Sequence, residues 1–103
     1  MSDKKFPPIH PGEILLEEFL KPLNITEEQL AEDISIPYNI IHDLITKNRD
    51  IEADITLRLS RYFGLTERFW MNLQSQYTIE REKDRLKDRL DKEVHVFHKS
   101  EIN

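Results

Sequence analysis

The residues with the most chemistry to offer lie between positions 26 and 49. Tyr38, Asn39, His42 and Asp43 recur at a spacing that puts them on one face of a helix. Asn39 can pair bidentately with adenine, and Tyr38 and His42 can reach base edges or phosphates. Asp43 can accept from the amine of cytosine, although close to phosphate it would be repelled. Thr26, Thr46, Lys47, Asn48 and Arg49 flank this face with hydroxyls, an amide and two cations. Such groups hold phosphate oxygens without reading sequence, and each neutralised phosphate adds salt-dependent affinity. The plainer account of the same residues is a solvated helix face, a capping threonine and two solubilising cations.

Other chemistries find little support. The chain has no cysteine, so it has neither a disulfide nor a thiolate site, and its two glycines are too few for a phosphate-cradling loop. His95 and His98 stand one helical turn apart, but no third ligand is evident, so no metal is expected. No Ser-His-Asp context occurs either; no catalytic residue, cofactor or enzymatic activity is expected. Phe63, Phe69, Trp70 and Tyr77 could suggest a ligand cage, yet aromatic residues at helical spacing beside leucines read as core.

The 103 residues have room for one domain, with 38% apolar and 34% charged residues. No apolar run approaches a membrane span and the start lacks a signal-peptide core, so the cytoplasm is the expected compartment. The net charge of −5 counts mildly against nucleic-acid binding. Its distribution matters more: residues 26–65 carry eight acidic and four basic groups, whereas residues 66–103 carry eight of each.

These side chains need elements to position them. His10-Pro11-Gly12-Glu13 opens a first helix, with proline at a position that needs no N–H, and Pro22 should stop it. Thr26-Glu27-Glu28-Gln29 fits a capping box, flanked by the hydrophobic staple pair Ile25 and Leu30, for a short helix from Glu27 to about Ile34. A third helix runs from near Pro37 to about Thr46, with Ile40, Ile41, Leu44 and Ile45 inward. In the turn that follows, Asn48 best accepts a left-handed conformation. A fourth helix starts near Asp54 or Thr56, has Leu57 and Leu59 inside and ends at Gly64. Thr66 and Glu67 open a fifth. The expected layout is an N-terminal arm over 1–8, a domain over 9–78 and a charged amphipathic extension over 79–103. In that extension Leu86, Leu90 and Val94 form a stripe suited to a second subunit. Val94-His95-Val96-Phe97 also alternates like a strand, so the tail can be helical or irregular.

Residues 27–46 carry the most telling pattern. Leu30 and Ile34 point inward from the second helix, Ile36 plugs the corner, and Ile41 and Leu44 anchor the third. Ala31 is small enough to let crossing helices approach. This is the spacing of a helix-turn-helix, whose second helix can enter a major groove.

HPGEIL (10–15), NITEEQLAEDI (24–34), NRDIEADITLRLSRYFG (48–64) and FWMNLQSQY (69–77) together resemble the HigA antitoxins, also called virulence-associated protein I. The resemblance spans about residues 9–78, with several separated motifs in the family's order. It implies an all-α, five-helix, lambda-repressor-like helix-turn-helix domain with a C-terminal helical or irregular extension. It further implies a homodimer on operator DNA at its own promoter, repressing its toxin–antitoxin operon, and binding to a HigB-type mRNA-cleaving toxin. The chain departs from the family pattern at several places. Ser35 replaces the usual corner glycine, Thr46-Lys47 the usual Asn-Gly, and Glu27 a glutamine that would touch phosphate. Tyr38, Ile40, His42 and Asp43 occupy a helix that often carries arginines. The resemblance therefore implies the fold more directly than individual DNA contacts. The alternative function is a protein-binding module that keeps the fold and has lost DNA reading.

Overall fold

The structure, a computed structural model, describes residues 8–98. The arm expected over 1–8 thus lies outside the described residues except for Pro8. Helix α1 occupies 11–23 in three stretches: an α turn Pro11–Ile14, a π-helical stretch Leu15–Leu20 and a last α turn Lys21–Leu23. It is followed by α2 (Glu27–Ile34), α3 (Tyr38–Ile45), α4 (Ala53–Phe63), α5 (Glu67–Leu86) and α6 (Arg89–Glu93). The described residues contain no strand, and 94–98 have no regular secondary structure.

Three joints between these helices are built alike. Asn24, Ser35 and Gly64 each take the left-handed conformation at the end of a helix. In each case the next N–H returns to the carbonyl five residues earlier: Ile25 to Leu20, Ile36 to Ala31 and Leu65 to Ser60. That residue also turns its aliphatic side chain into the core. An extended residue (Thr26, Pro37 or Thr66) then opens the following helix. This is the Schellman closure with its hydrophobic contact, and it leaves few helix-end groups unsatisfied. The end of α3 closes in the same way, with Lys47 at φ 68° and Asn48 N–H on the Asp43 carbonyl.

Four expectations need correction. Pro22 does not stop α1: the ladder ahead of it is already displaced to π spacing, with Lys21 N–H on the Leu16 carbonyl, and the chain completes another turn before Asn24. Lys47, not Asn48, is left-handed, because α3 ends at Ile45 and the closure falls two residues later. Leu57 is 55% exposed, since residues two apart on a helix point roughly oppositely; Ile55, Thr56, Leu59 and Ser60 face inward instead. Only half of the capping box forms. Thr26 Oγ1 accepts from Gln29 N–H at 3.0 Å, but the Gln29 amide donates to Asp33 at 3.3 Å rather than reaching back.

The core gathers Leu15, Leu20, Leu30, Ile41, Leu44, Leu59 and Trp70 around the crossing of α1, α3 and α5. Burying each large side chain contributes roughly 1.5–3 kcal/mol, offset by chain entropy. Trp70 is fully buried against the Phe19 ring at 5.2 Å and the Phe69 ring at 5.0 Å. Helices α1 and α3 meet closely at Gly12, where a Cβ would stand 1.9 Å from the Leu44 carbonyl oxygen. Only a glycine allows the start of α1 to rest on the last turn of α3.

Candidate nucleic-acid interface

The α2–α3 corner is anchored from below. Leu30, Ala31, Ile34, Ile36, Ile41 and Leu44 are all buried. Arg58 on α4 reaches across to the corner, donating from Nη1 to the Ile34 carbonyl at 2.8 Å while its Nε donates to Asp54 at 2.7 Å. Tyr62, also on α4, donates to Asp33 on α2 at 2.6 Å. That bond, followed by partial burial, raises the Tyr62 phenol above its ordinary pKa. Two helices are thereby held at a set angle, and one side of α3 is left to solvent.

That side presents Tyr38, Asn39 and His42, all exposed, with Asp43 half-buried at its edge. Tyr38 and His42 stack with ring centroids 5.7 Å apart and an interplanar angle of 20°. Glu27, in the first turn of α2, places a carboxylate oxygen 3.0 Å from His42 Nδ1. Desolvation, together with Glu27 and Glu28, pushes the Tyr38 phenol up, so it stays a neutral hydroxyl able to donate.

The flanking groups are arranged more locally. Thr26 caps α2. Thr46 Oγ1 donates to the His42 carbonyl at 2.8 Å and accepts from the Asn48 amide at 3.1 Å, so these two order the turn beside the face. Lys47 Nζ lies 3.6 Å from a Glu13 carboxylate oxygen, an exposed pair that competing phosphate could open. Arg49 is half-buried, and its Nε has no hydrogen-bond partner among the described residues.

Behind the turn, α5 holds the loop. The buried Gln74 accepts from Ile51 N–H at 2.7 Å and donates to Thr78 at 3.0 Å, and Arg81 lies 3.8 Å from Asp50. His10 completes this support. Its Nδ1 accepts from Gly12 N–H at 2.8 Å, capping α1, and its ring meets the edge of Tyr77 at 4.8 Å. Burial holds the imidazole below its ordinary pKa, with the Arg49 main chain and Asp50 opposing. Gln74, Arg58, His10 and the Glu27–His42 contact were not visible as support in the sequence. Only the departure from the family pattern at Glu27 marked one of them.

The extension is placed differently from a single stripe. Leu86 ends α5 half-buried, Leu90 lies in α6 and Val94 follows it, both exposed, with a turn at Lys87 and Asp88 between. His95 and His98 fall in the irregular segment after α6, where helical spacing does not apply, and the described residues contain no cluster of three metal-ligating side chains. The exposed tail is apolar at Val96 and Phe97.

A two-helix corner braced by Arg58, with a polar α3 face raised to solvent, defines a helix-turn-helix protein. No protein-family model matches the chain. Virulence-associated protein I of Dichelobacter nodosus is 41% identical over 75 residues, covering 73% of this chain and 69% of that protein. Antitoxin HigA-1 of Vibrio cholerae is 35% identical over 74 residues, 72% of this chain and 70% of that protein. Among solved structures, the Pseudomonas aeruginosa antitoxin HigA with the higBA promoter matches with a TM-score of 0.85 at 36% identity, over 88% of this chain and 99% of that one. The antitoxin GraA in complex with its operator matches with a TM-score of 0.85 at 28% identity, over 95% and 99%. The chain belongs to the HigA/VapI family of helix-turn-helix antitoxins.

Proposed function

We propose that this protein is the antitoxin of a type II toxin–antitoxin module, a non-enzymatic repressor that binds operator DNA at its own promoter and neutralises a protein toxin. The observation that carries this reading is the exposed Tyr38-Asn39-His42 face on a braced α3, in a fold shared almost end to end with antitoxins solved on operator DNA. In this reading α3 enters the major groove. Asn39, Tyr38, His42 and Asp43 face base edges, while Thr26, Thr46, Lys47, Asn48 and Arg49 flank the backbone. Two copies pair through the extension around Leu86, Leu90 and Val94, setting two α3 helices about one DNA turn (~34 Å) apart. The partner is a HigB-type, basic, mRNA-cleaving toxin, and the net charge of −5 supports its attraction.

Fluorescence anisotropy with a duplex taken from upstream of its own reading frame tests the DNA half. Binding should be salt-sensitive. Lys47→Ala with Arg49→Ala should weaken it across sequences and lower the salt slope by roughly one for each phosphate no longer neutralised. Absence of salt-sensitive binding at micromolar protein would leave the protein-binding reading, which the acidic Glu27 and Asp43 beside the groove face favour. Co-purification with the neighbouring gene product, and loss of that product's RNase activity on mixing, tests the toxin half.

A further inference from the structure

His42 belongs to the proposed groove face, but its ring is not free to present either nitrogen. Nδ1 is 3.0 Å from Glu27 Oε1, and a carboxylate oxygen can only accept, so the neutral ring carries its proton on Nδ1. The nitrogen left outward is then Nε2, with a lone pair and no hydrogen. Which ring nitrogen is protonated follows from the partner of the other, and here that partner comes from the neighbouring helix. The Tyr38 ring stacks on one side of the imidazole.

We propose that Glu27 is a specificity-positioning residue: it makes His42 Nε2 an acceptor, so that neutral His42 selects, on the strand it faces in the major groove, a base carrying an exocyclic amine, adenine N6 or cytosine N4, over guanine or thymine. This rests on the DNA-reading function proposed above and assigns chemistry to one position of that reading. The carboxylate at residue 27 thus has a hydrogen-bonding role on the α3 face besides its charge. Glu27 also hydrogen-bonds the Tyr38 hydroxyl, so one carboxylate on α2 serves both side chains of the α3 face.

Two measurements on the full-length, ¹⁵N-labelled protein test this. Long-range ¹H–¹⁵N spectra report which imidazole nitrogen of His42 is protonated, and selection from a randomised duplex pool reports base preference. Wild type should show Nδ1–H in the neutral form, and adenine or cytosine should be enriched roughly fivefold at one position. Glu27→Ala should populate Nε2–H and lose that enrichment, while keeping its salt dependence. Glu27→Gln, whose amide oxygen still accepts, should restore both the tautomer and the preference. Nε2–H in neutral wild type, or the same base chosen equally strongly by Glu27→Ala, would overturn the proposal alone. A wild-type protein that retains no duplex from the pool overturns the DNA-reading function and this proposal with it.

Discussion

Two residues show how far the exposed α3 face depends on atoms buried beneath it. Gly12 lets α1 touch the backbone of α3, with no room for a methyl group beside the Leu44 carbonyl. Gly12→Ala should therefore lower stability by about 3 kcal/mol in urea titration, the upper range for forcing atoms into a packed contact. His10 offers a pH dependence with a definite sign. Its folded pKa lies below the 6.5 of an unfolded histidine, so the unfolded chain binds the proton more readily. Its contribution to stability is complete above 6.5 and is lost as pH falls from there toward the lowered folded value. Melting curves on either side of 6.5 should show a lower Tm on the acid side. His10→Asn keeps a cap for the Gly12 N–H and should flatten that dependence, even if it melts lower throughout. An equal acid loss in both proteins would assign the effect to other groups.

At the scale of elements, helix ends rather than helix bodies decide the geometry. Ser35 and Lys47 occupy left-handed positions that disfavour a residue with a Cβ. Ser35→Gly and Lys47→Gly should each raise the unfolding free energy read from urea titration, by up to about 1 kcal/mol once the extra freedom of glycine in the unfolded chain is subtracted. The Glu13 pair removed with Lys47 is exposed and offsets little of that gain. These ends also mark what could be read from sequence. The Thr26 cap, the Gly64 stop and the apolar spacing of α2 and α3 are local signals, so the helix bounds and the buried corner residues were legible. Glu27 with His42, Arg58 with Ile34 and Gln74 with Ile51 join positions 15 to 24 residues apart. Such pairings exist only once the helices cross, and no local spacing encodes them. Leu57 is a different case: its apolar type suggests burial, while the helical period, counted from Leu59, puts it on the solvent side.

For the molecule as a whole, the last buried side chain along the described chain is Gln74, although α5 continues to Leu86 and the structure extends 58 Å along its longest axis against 30 and 24 Å across. Residues beyond α5 are consequently expected to contribute to assembly more than to folding. A chain stopped after Leu86 should keep its urea midpoint, while light scattering shows a dimer of the full chain becoming monomeric and operator affinity falling. An unchanged mass would place the pairing surface elsewhere. The repeated joint of left-handed residue, buried aliphatic and extended cap has a last consequence, for engineering. Because the same hinge is made with Asn24-Ile25-Thr26, Ser35-Ile36-Pro37 and Gly64-Leu65-Thr66, its geometry is a property of main-chain closure and not of one residue. Corner tripeptides are thus expected to be exchangeable parts: grafting one between positions should keep the main-chain closure, and with it the course of the chain through the corner.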